Sequence, residues 1–175
     1  MTTQNQNQNF YENATELLKG MAHPIRLGIV SLLSKGEKNV LELYSTLNIP
    51  QSTTSQHLIK MKAAGIVTSQ RKGLECYYRL KDEKFAIVES DEESAEMIKG
   101  MAHPVRLEIA TILREGESNV TTIHEKLGIA QSTTSIHLGK LKKSGVLKSR
   151  RKGLEMFYSV KDSDNVSAIL SIISE

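Results

Sequence analysis

Apolar residues recur at helical spacing through the first part of the chain. From residue 10 they occupy positions i, i+4, i+7, i+8 and i+11, the pattern of an amphipathic helix: Phe10, Ala14, Leu17, Leu18 and Met21. A second helix is predicted to begin at Pro24, because proline suits the first helical position, and to end at Gly36. Asn39 can cap a third, short helix. A three-residue break then leads into a fourth helix, predicted from Gln51 to about residue 64.

Period-two alternation replaces the helical pattern after Gly65. Four residues alternate with polar or aromatic neighbours, which predicts a β-strand with these four on its inner face: Leu74, Cys76, Tyr78 and Leu80. Residues 66–70 are the expected partner strand, with residues 71–73 at the turn. The third helix, the break and the fourth helix form a helix-turn-helix arrangement, and the hairpin would be its wing.

The unit occurs twice. Residues 19–82 align without gaps with residues 99–162, and 35 of these 64 positions are identical. Two copies are too few for a solenoid. We therefore predict a mainly α-helical (α+β) chain of two tandem winged helix-turn-helix domains, at residues 10–88 and 89–175. Residues 1–9 are rich in Gln and Asn and are predicted to be a disordered tail.

The joint between the copies is acidic. Residues 82–96 carry seven Asp or Glu residues against Lys84 and contain no Gly or Pro, so we predict helix with little flexible linker. The second copy ends in one further predicted helix, whose apolar residues form a stripe: Val166, Ile169, Leu170 and Ile173.

The fourth helix of each copy has the polarity of a DNA-recognition helix. A helical wheel directs Thr54, Leu58 and Met61 to the core. The opposite face begins with hydroxyls and an amide, Ser52, Thr53 and Gln56, and ends with a cation, Lys60. Short hydrogen-bonding groups suit base edges, and cations suit phosphates. The second copy exposes a corresponding set: Ser132, Thr133, Ile136, Gly139, Lys140 and Lys143.

Charge supports the same interpretation. The net charge of +3 hides two basic segments: residues 51–75 carry four basic residues and one acidic residue, and residues 131–155 carry seven and one. Such surfaces attract phosphate. The alternative is a solvated helix face that happens to carry lysine. We favour DNA because the helix-turn-helix, the polar helix start and the basic hairpin occur together, twice.

Three motifs in constant order carry a family resemblance. A-H-P-x-R-L opens a helix, Q-S-T-x-S-x-H-L follows, and a basic hairpin ends in L-E-x-x-Y. This pattern resembles the ArsR-type winged-helix transcriptional repressors, in particular the small PagR-like members. The resemblance implies double-stranded DNA as partner, a pseudo-palindromic operator, the helix-turn-helix in the major groove and the wing alongside. It also implies dimerisation through the first and last helices.

The predicted DNA-binding residues combine the helical wheel with this resemblance. The resemblance implies base contacts for nine residues: Gln51, Ser52, Ser55, Gln56, His57, Gln131, Ser132, Ser135 and His137. The wheel adds Thr53 and Thr133. Six basic residues are predicted to meet phosphates: Lys60, Arg71, Lys72, Lys140, Arg151 and Lys152.

The fusion departs from the family pattern, since its members usually contain one such domain. Two copies in one chain look like a single-chain pseudo-dimer, with the last helix of the first copy running into the first helix of the second. Whether the copies pair with each other or with a second chain, as a homodimer, stays open.

Other kinds of site are not expected. Relatives that sense metal use Cys-x-Cys on the third helix or Asp and His pairs on the last helix; here the third helices lack Cys and the last helix lacks His. We predict no metal site and no cofactor. His23 and His103 are expected to cap or pack. Cys76 could be redox-active, but a buried apolar role is favoured because Met156 takes its place in the second copy.

No catalytic constellation is apparent, and no enzyme is predicted. Ser55 and His57 lie two apart on one helix, point about 200° from each other and cannot pair. The single Cys excludes an intrachain disulfide, no apolar run approaches the ~20 residues of a membrane span, and the first residues lack the features of a signal peptide. We expect a cytoplasmic protein with no membrane partner.

The sequence therefore predicts a sequence-specific DNA-binding transcriptional regulator, a repressor rather than an activator. The alternative belongs to another class: a protein-interaction module, such as an antirepressor that pairs with single-domain relatives and blocks them. The apolar terminal helices suit that alternative. The two basic, polar-tipped surfaces favour DNA.

Overall fold

The computed structural model describes residues 2–173, with side chains from residue 8 onward. Met1, predicted in the tail, and residues 174–175, predicted in the second domain, lie outside the described residues. The first copy contains these elements: α1 (Thr2–Met21), α2 (Pro24–Leu33), β1 (Lys38–Asn39), α3 (Val40–Leu47), α4 (Gln51–Ala63), β2 (Val67–Lys72) and β3 (Glu75–Leu80). A short 3-10 helix, Glu83–Ile87, follows.

The second copy repeats the order and adds a helix: α5 (Glu92–Met101), α6 (Pro104–Arg114), β4 (Ser118–Asn119), α7 (Val120–Leu127), α8 (Gln131–Lys143), β5 (Leu147–Lys152), β6 (Glu155–Val160) and α9 (Asp164–Ile173). The fold is thus mainly α-helical with two small antiparallel sheets, which confirms the predicted class of two winged helix-turn-helix repeats.

Each wing hairpin is joined by a third strand to form a three-stranded sheet, with strand orders β1-β3-β2 and β4-β6-β5. The outer strands β1 and β4 are two residues long, and the alternation pattern did not predict them. β1 pairs only with Tyr77 and Tyr78 of β3, so the end of the hairpin extends beyond it as a two-stranded ribbon.

Local signals explain where α3 begins and ends. The backbone N–H of Glu42 donates to the side chain of Asn39, and the Glu42 carboxylate accepts from the Asn39 backbone N–H, both at 2.8 Å, which completes a capping box. Asn48, with φ +52°, ends α3 in the left-handed conformation that asparagine tolerates. This cap and this stop fix the short helix that precedes the tight turn.

The predicted core face of the fourth helix is confirmed. Thr54, Leu58 and Met61 are fully buried, and the Thr54 hydroxyl donates to the backbone oxygen of Pro50 at 3.3 Å. Their counterparts in the second copy, Thr134, Leu138 and Leu141, are equally buried. Burial of this face leaves the opposite face of each helix toward solvent.

The copies contact each other through their first helices. α1 packs against α5 and α6, and α2 packs against α5. The 3-10 helix packs against α9, which occupies the equivalent place in the second copy. Tyr11 of α1 is partly buried against the hydrophobic core, and burial raises the pKa of its hydroxyl. Buried apolar residues of both copies therefore form one continuous cluster.

Three elements differ from the sequence-based expectation. α1 begins at Thr2, so residues 2–9 are helical where we predicted a disordered tail. Once packing holds one end of a helix, each further hydrogen bond requires the ordering of only one more residue, so the helix extends readily. The joint is a 3-10 helix followed by extended backbone at Val88, so the two copies do not share a continuous helix. Leu74 lies in the hairpin turn and is 95% exposed instead of facing inward.

Candidate DNA-binding surface

The face of α4 opposite the core carries most of the predicted contact residues. Gln51, Ser52, Gln56 and Lys60 are exposed, whereas Thr53 and Ser55 are half-buried. On α8 the exposed set is larger: Gln131, Ser132, Thr133, Ser135 and Lys140. Each helix therefore presents amide and hydroxyl groups in its N-terminal half and an ammonium group one turn further on.

The first backbone N–H groups of both helices lack a capping side chain. Pro50 precedes α4 and Ala130 precedes α8, and neither residue can supply a side-chain hydrogen bond. Uncapped N–H groups and the positive end of the helix dipole attract an anion such as a DNA phosphate. The only sequence signal for this feature is the absence of Ser, Thr, Asp or Asn at these two positions.

The exposed faces of α4 and α8 each carry one isoleucine, at positions that are not equivalent in the two copies. In α4 it is Ile59, 68% exposed, beside an amide at position 56. In α8 it is Ile136, 59% exposed, beside a glycine at position 139. The two helices thus present different chemistry to any ligand that approaches them from the same direction.

His57 and His137 lie differently from the other predicted contact residues. His57 is half-buried, with its ring centroid 4.6 Å from that of His23, and its Nδ1 is buried without a partner within the described residues. His137 lies 4.8 Å from His103 in the same way. His57 thus packs against the residue that precedes α2, and His137 packs against the residue that precedes α6. A direct contact between either histidine and DNA stays a prediction.

The expected capping role differs between the copies. The backbone N–H of Ile25 donates to Nδ1 of His23 at 3.1 Å, which caps α2. Nδ1 of His103 makes no such bond.

The surroundings of the histidines shift their pKa values. Burial, followed by the charge of Arg26, lowers the pKa of His23, and burial also lowers the pKa of His57. Burial also lowers the pKa of His103 and of His137, so the folded chain favours the neutral form of all four rings.

This arrangement predicts a loss of stability at mildly acidic pH. Because the four histidine pKa values are lower in the folded chain than in the unfolded chain, the unfolded chain binds more protons as the pH falls below about 6.5. The free energy of unfolding is therefore expected to fall as the pH is lowered below about 6.5. Urea denaturation at a series of pH values measures it.

The double variant His57→Gln/His137→Gln is the matched control, since an amide does not titrate in this range. Its urea midpoint is expected to vary less with pH than that of the wild type. An identical pH dependence of the two proteins would show that the histidine pairs do not cause the effect.

The wings differ in how their positive charge is paired. In the first copy Glu37 forms an ion pair with Lys72, whose ammonium also lies 5.0 Å from the Tyr77 ring centroid. In the second copy the equivalent Glu117 pairs with Arg150, at 2.7 Å from Nε, which lowers the pKa of the carboxyl.

Lys152 forms no ion pair within 4 Å among the residues that the structure describes, although its charge also helps to lower the pKa of Glu117. Its ammonium lies 5.8 Å from the Phe157 ring centroid. The sequence signal for this difference in pairing is the third-last residue of the strand, which is Gln70 in β2 and Arg150 in β5. We did not predict this exchange, because it depends on which side chain reaches the glutamate across the sheet.

A lysine ties each recognition helix to its wing. Lys62 donates to the Ser69 hydroxyl and Lys142 donates to the Ser149 hydroxyl, both at 2.7 Å. These lysines were counted in the basic segments, but their ammonium groups are directed to the wing. These bonds link the hairpin to the C-terminal half of the helix.

Candidate sites of other kinds are limited. Within residues 8–173, no group of three or more His, Cys, Asp or Glu side chains could hold a metal ion. Cys76 is half-buried rather than buried, and Met156 at the equivalent position is 39% exposed. Among the described residues, no helix combines the length and the apolar character that a bilayer crossing requires.

Comparison with known proteins gives consistent matches. The model of the family described as bacterial regulatory protein, arsR family, matches twice, at residues 23–69 and 103–149. The chain is 45% identical over 78 residues to the HTH-type transcriptional repressor SmtB of Mycobacterium tuberculosis, covering 45% of this chain and 58% of that protein. It is 47% identical over 74 residues to the transcriptional repressor PagR of Bacillus anthracis, covering 42% of this chain and 74% of that protein.

The crystal structure of NolR from Sinorhizobium fredii is 36% identical, with a TM-score of 0.44, and the match covers 47% of this chain and 82% of that one. The chain thus spans less than two thirds of the length of the SmtB relative. The two family matches together cover more than half of the present sequence, one in each copy. This chain belongs to the arsR family of bacterial regulatory proteins.

Proposed function

We propose that the protein is a sequence-specific DNA-binding transcriptional regulator that acts as a repressor in the cytoplasm, without enzymatic activity. The observation that carries this proposal is the exposed face of α4 and α8, polar at the start and cationic further on, beside a basic wing in both copies. Family membership and the names of the SmtB and PagR relatives support it.

Residue roles follow from side-chain chemistry and exposure. Amide and hydroxyl groups read base edges in the major groove, from Gln51, Ser52, Thr53, Ser55 and Gln56 in α4 and from Gln131, Ser132, Thr133 and Ser135 in α8. Lys60, Arg71, Lys72, Lys140, Arg151 and Lys152 contact phosphates. His57 and His137 act mainly by packing, which sets the position of the recognition helix against α2 or α6.

The two copies act as one pseudo-dimer within a single chain. The support is the symmetry of the contacts between them, because equivalent elements meet: α1 meets α5, and the 3-10 helix meets α9. The contact of α1 with α6 likewise has its counterpart in that of α5 with α2. Isologous pairing of this kind is the arrangement of a two-fold dimer, here within one polypeptide.

An antirepressor that sequesters single-domain relatives is the second candidate. Ile136 favours it, because an exposed isoleucine at the centre of a recognition face offers no hydrogen bond to a base edge. The two candidates differ in one property: an antirepressor needs no affinity for DNA.

A gel shift of the purified protein with DNA from upstream of its own gene tests the proposal. We expect a specific complex that survives an excess of unrelated DNA. No complex at low salt, together with binding to a single-domain relative, would overturn DNA binding in favour of the antirepressor.

Salt dependence tests the phosphate contacts separately. The logarithm of the binding constant is expected to fall linearly with the logarithm of the salt concentration, with a slope of about −0.9 for each phosphate contact. Lys152→Ala should reduce this slope by about 1. Lys72→Ala should reduce it less, because the Lys72 ammonium is already paired with Glu37.

Lys84→Ala in the acidic joint is the control and should leave the slope unchanged. Lys84 belongs to the 3-10 helix and to neither wing, and it pairs with Asp82 at 3.8 Å. Equal effects of Lys72→Ala and Lys152→Ala would contradict the difference in pairing between the wings.

A further inference from the structure

The tip of each wing carries a leucine that neither packing nor turn geometry explains. Leu74 is 95% exposed and Leu154 is 94% exposed, the two most exposed large apolar residues among those described. The remaining large exposed apolar residues reach at most 68%. Burial in the folded chain therefore does not account for either leucine.

Turn geometry does not require leucine either. Lys72 pairs with Glu75, so Gly73 and Leu74 form a two-residue hairpin loop, and Gly73 has φ +64° while Leu74 does not adopt a positive φ. A positive φ at the first loop residue alone is the pattern of a type II′ turn, whose second position commonly takes Asn, Asp or Ser. A polar residue would serve the turn and avoid exposing an apolar side chain.

The leucine nevertheless occurs at the tip of both wings, in the segment R-K-G-L-E, although the aligned copies differ at 29 of 64 positions. The positions on either side of this shared segment have changed: Gln70 is replaced by Arg150, and Cys76 by Met156. Retention of an exposed leucine in both copies indicates a use for it outside the folded chain.

A guanidinium group accompanies each leucine. Nε of Arg71 donates to the backbone oxygen of Gly73 at 3.2 Å, and Nε of Arg151 donates to that of Gly153 at the same distance. These bonds hold the guanidinium group at the turn, at the residue that precedes the leucine. Each tip thus joins one cation to one apolar side chain at the end of a narrow two-stranded ribbon.

We propose that Leu74 and Leu154 are wedges that enter the DNA minor groove when the recognition helices occupy the major groove. Arg71 and Arg151 contact the phosphates at the rim of a narrow minor groove, whose negative potential attracts arginine. Apolar side chains inserted between base steps unstack the bases and kink the duplex. This inference rests on the proposed DNA-binding function and assigns the wing tips a part in it. The partner it requires is duplex DNA whose A·T-rich flanks follow the two half-sites.

The test uses the full chain and a duplex that the wild-type protein selects from a random-sequence library. The variant is Leu74→Ala/Leu154→Ala, whose exposed positions leave the fold intact, as thermal denaturation checks. We expect roughly tenfold weaker binding for each leucine removed, with an unchanged salt slope, because the lost contact is apolar. Leu74→Met/Leu154→Met should retain most of the affinity, and Ile87→Ala, half-exposed in the joint, is the control.

Bending of the bound duplex provides a second readout that affinity alone does not. Circularly permuted fragments of the selected duplex are expected to show a bend of about 20° or more with the wild type, and a smaller bend with the double alanine variant at saturating protein. Reduced affinity together with reduced bending would support the wedge.

The failures of the two proposals are distinguishable. Wild-type protein that selects no duplex overturns DNA binding itself. Wild-type protein that binds, with the same affinity and bend after both leucines are replaced, overturns the wedge and leaves the recognition helices in place. If the variant keeps DNA binding but light scattering gives it a lower molar mass than the wild type, the tips bind a second copy of the chain. That result would also overturn the wedge.

Discussion

Replacing Gly20 by alanine is expected to lower the free energy of unfolding by about 1–3 kcal/mol. A Cβ at Gly20 would overlap the Cβ of Ala64, which cannot rotate away, and would lie 3.2 Å from Cγ1 of Ile66. α1 would have to move away from the end of α4, although alanine favours helix over glycine by about 1 kcal/mol. Urea denaturation at pH 7.5 measures the change.

Gly139→Ala is the matched control, because it makes the same exchange inside another helix. A Cβ at Gly139 would have no atom within 4 Å, so only the gain in helix propensity remains. We expect this variant to be more stable by about 0.5–1 kcal/mol. A Gly20→Ala variant as stable as Gly139→Ala would show that α1 and α4 do not approach closely.

Gln56→Ala is expected to weaken binding to one half of the operator by about 1–3 kcal/mol, since an amide can form two hydrogen bonds with adenine. Ile136→Ala should have a smaller effect, because isoleucine offers a base only an apolar contact, for example with a thymine methyl group. The expected target is an imperfect palindrome bound by one chain, with the two helices ~34 Å apart. Footprinting on duplexes mutated in either half-site measures the two effects.

Stoichiometry completes this test. Light scattering of the complex should give one chain for each duplex, and the stricter half-site should lie under α4. Two chains on a perfect palindrome, or equal effects of the two substitutions, would contradict the single-chain arrangement.

Features set by short-range periodicity could be predicted from the sequence. Leu58 and Met61 fall on one side of a helix whatever the remainder of the chain does, and their burial followed from spacing alone. Repetition added the number of helix-turn-helix units, because each motif returned after 80 residues. The recognition helix was predicted from Gln51 to about residue 64, and α4 runs from Gln51 to Ala63.

Features set by contacts between distant elements could not be predicted. β1 has two residues, too few to show any alternation, and exists because β3 supplies its hydrogen bonds. His23 was expected to cap or pack, but its contact with His57 joins the N-cap of α2 to α4, and no spacing in the sequence indicates that partner. Leu74 continued the alternation of β3, but the turn lies at residues 73–74 instead of the predicted 71–73, which places Leu74 at the tip.

The short covalent joint between the copies has a consequence for how the proposed regulator would respond to its own abundance. Four residues, 88–91, separate the 3-10 helix from α5. A connection this short gives the halves an effective concentration in the millimolar range. For a chain that pairs with itself, operator occupancy rises with the first power of chain number, whereas a dissociating homodimer must first exceed an assembly threshold. A cell that holds few copies would therefore keep a graded response without a dilution-induced loss of the active form.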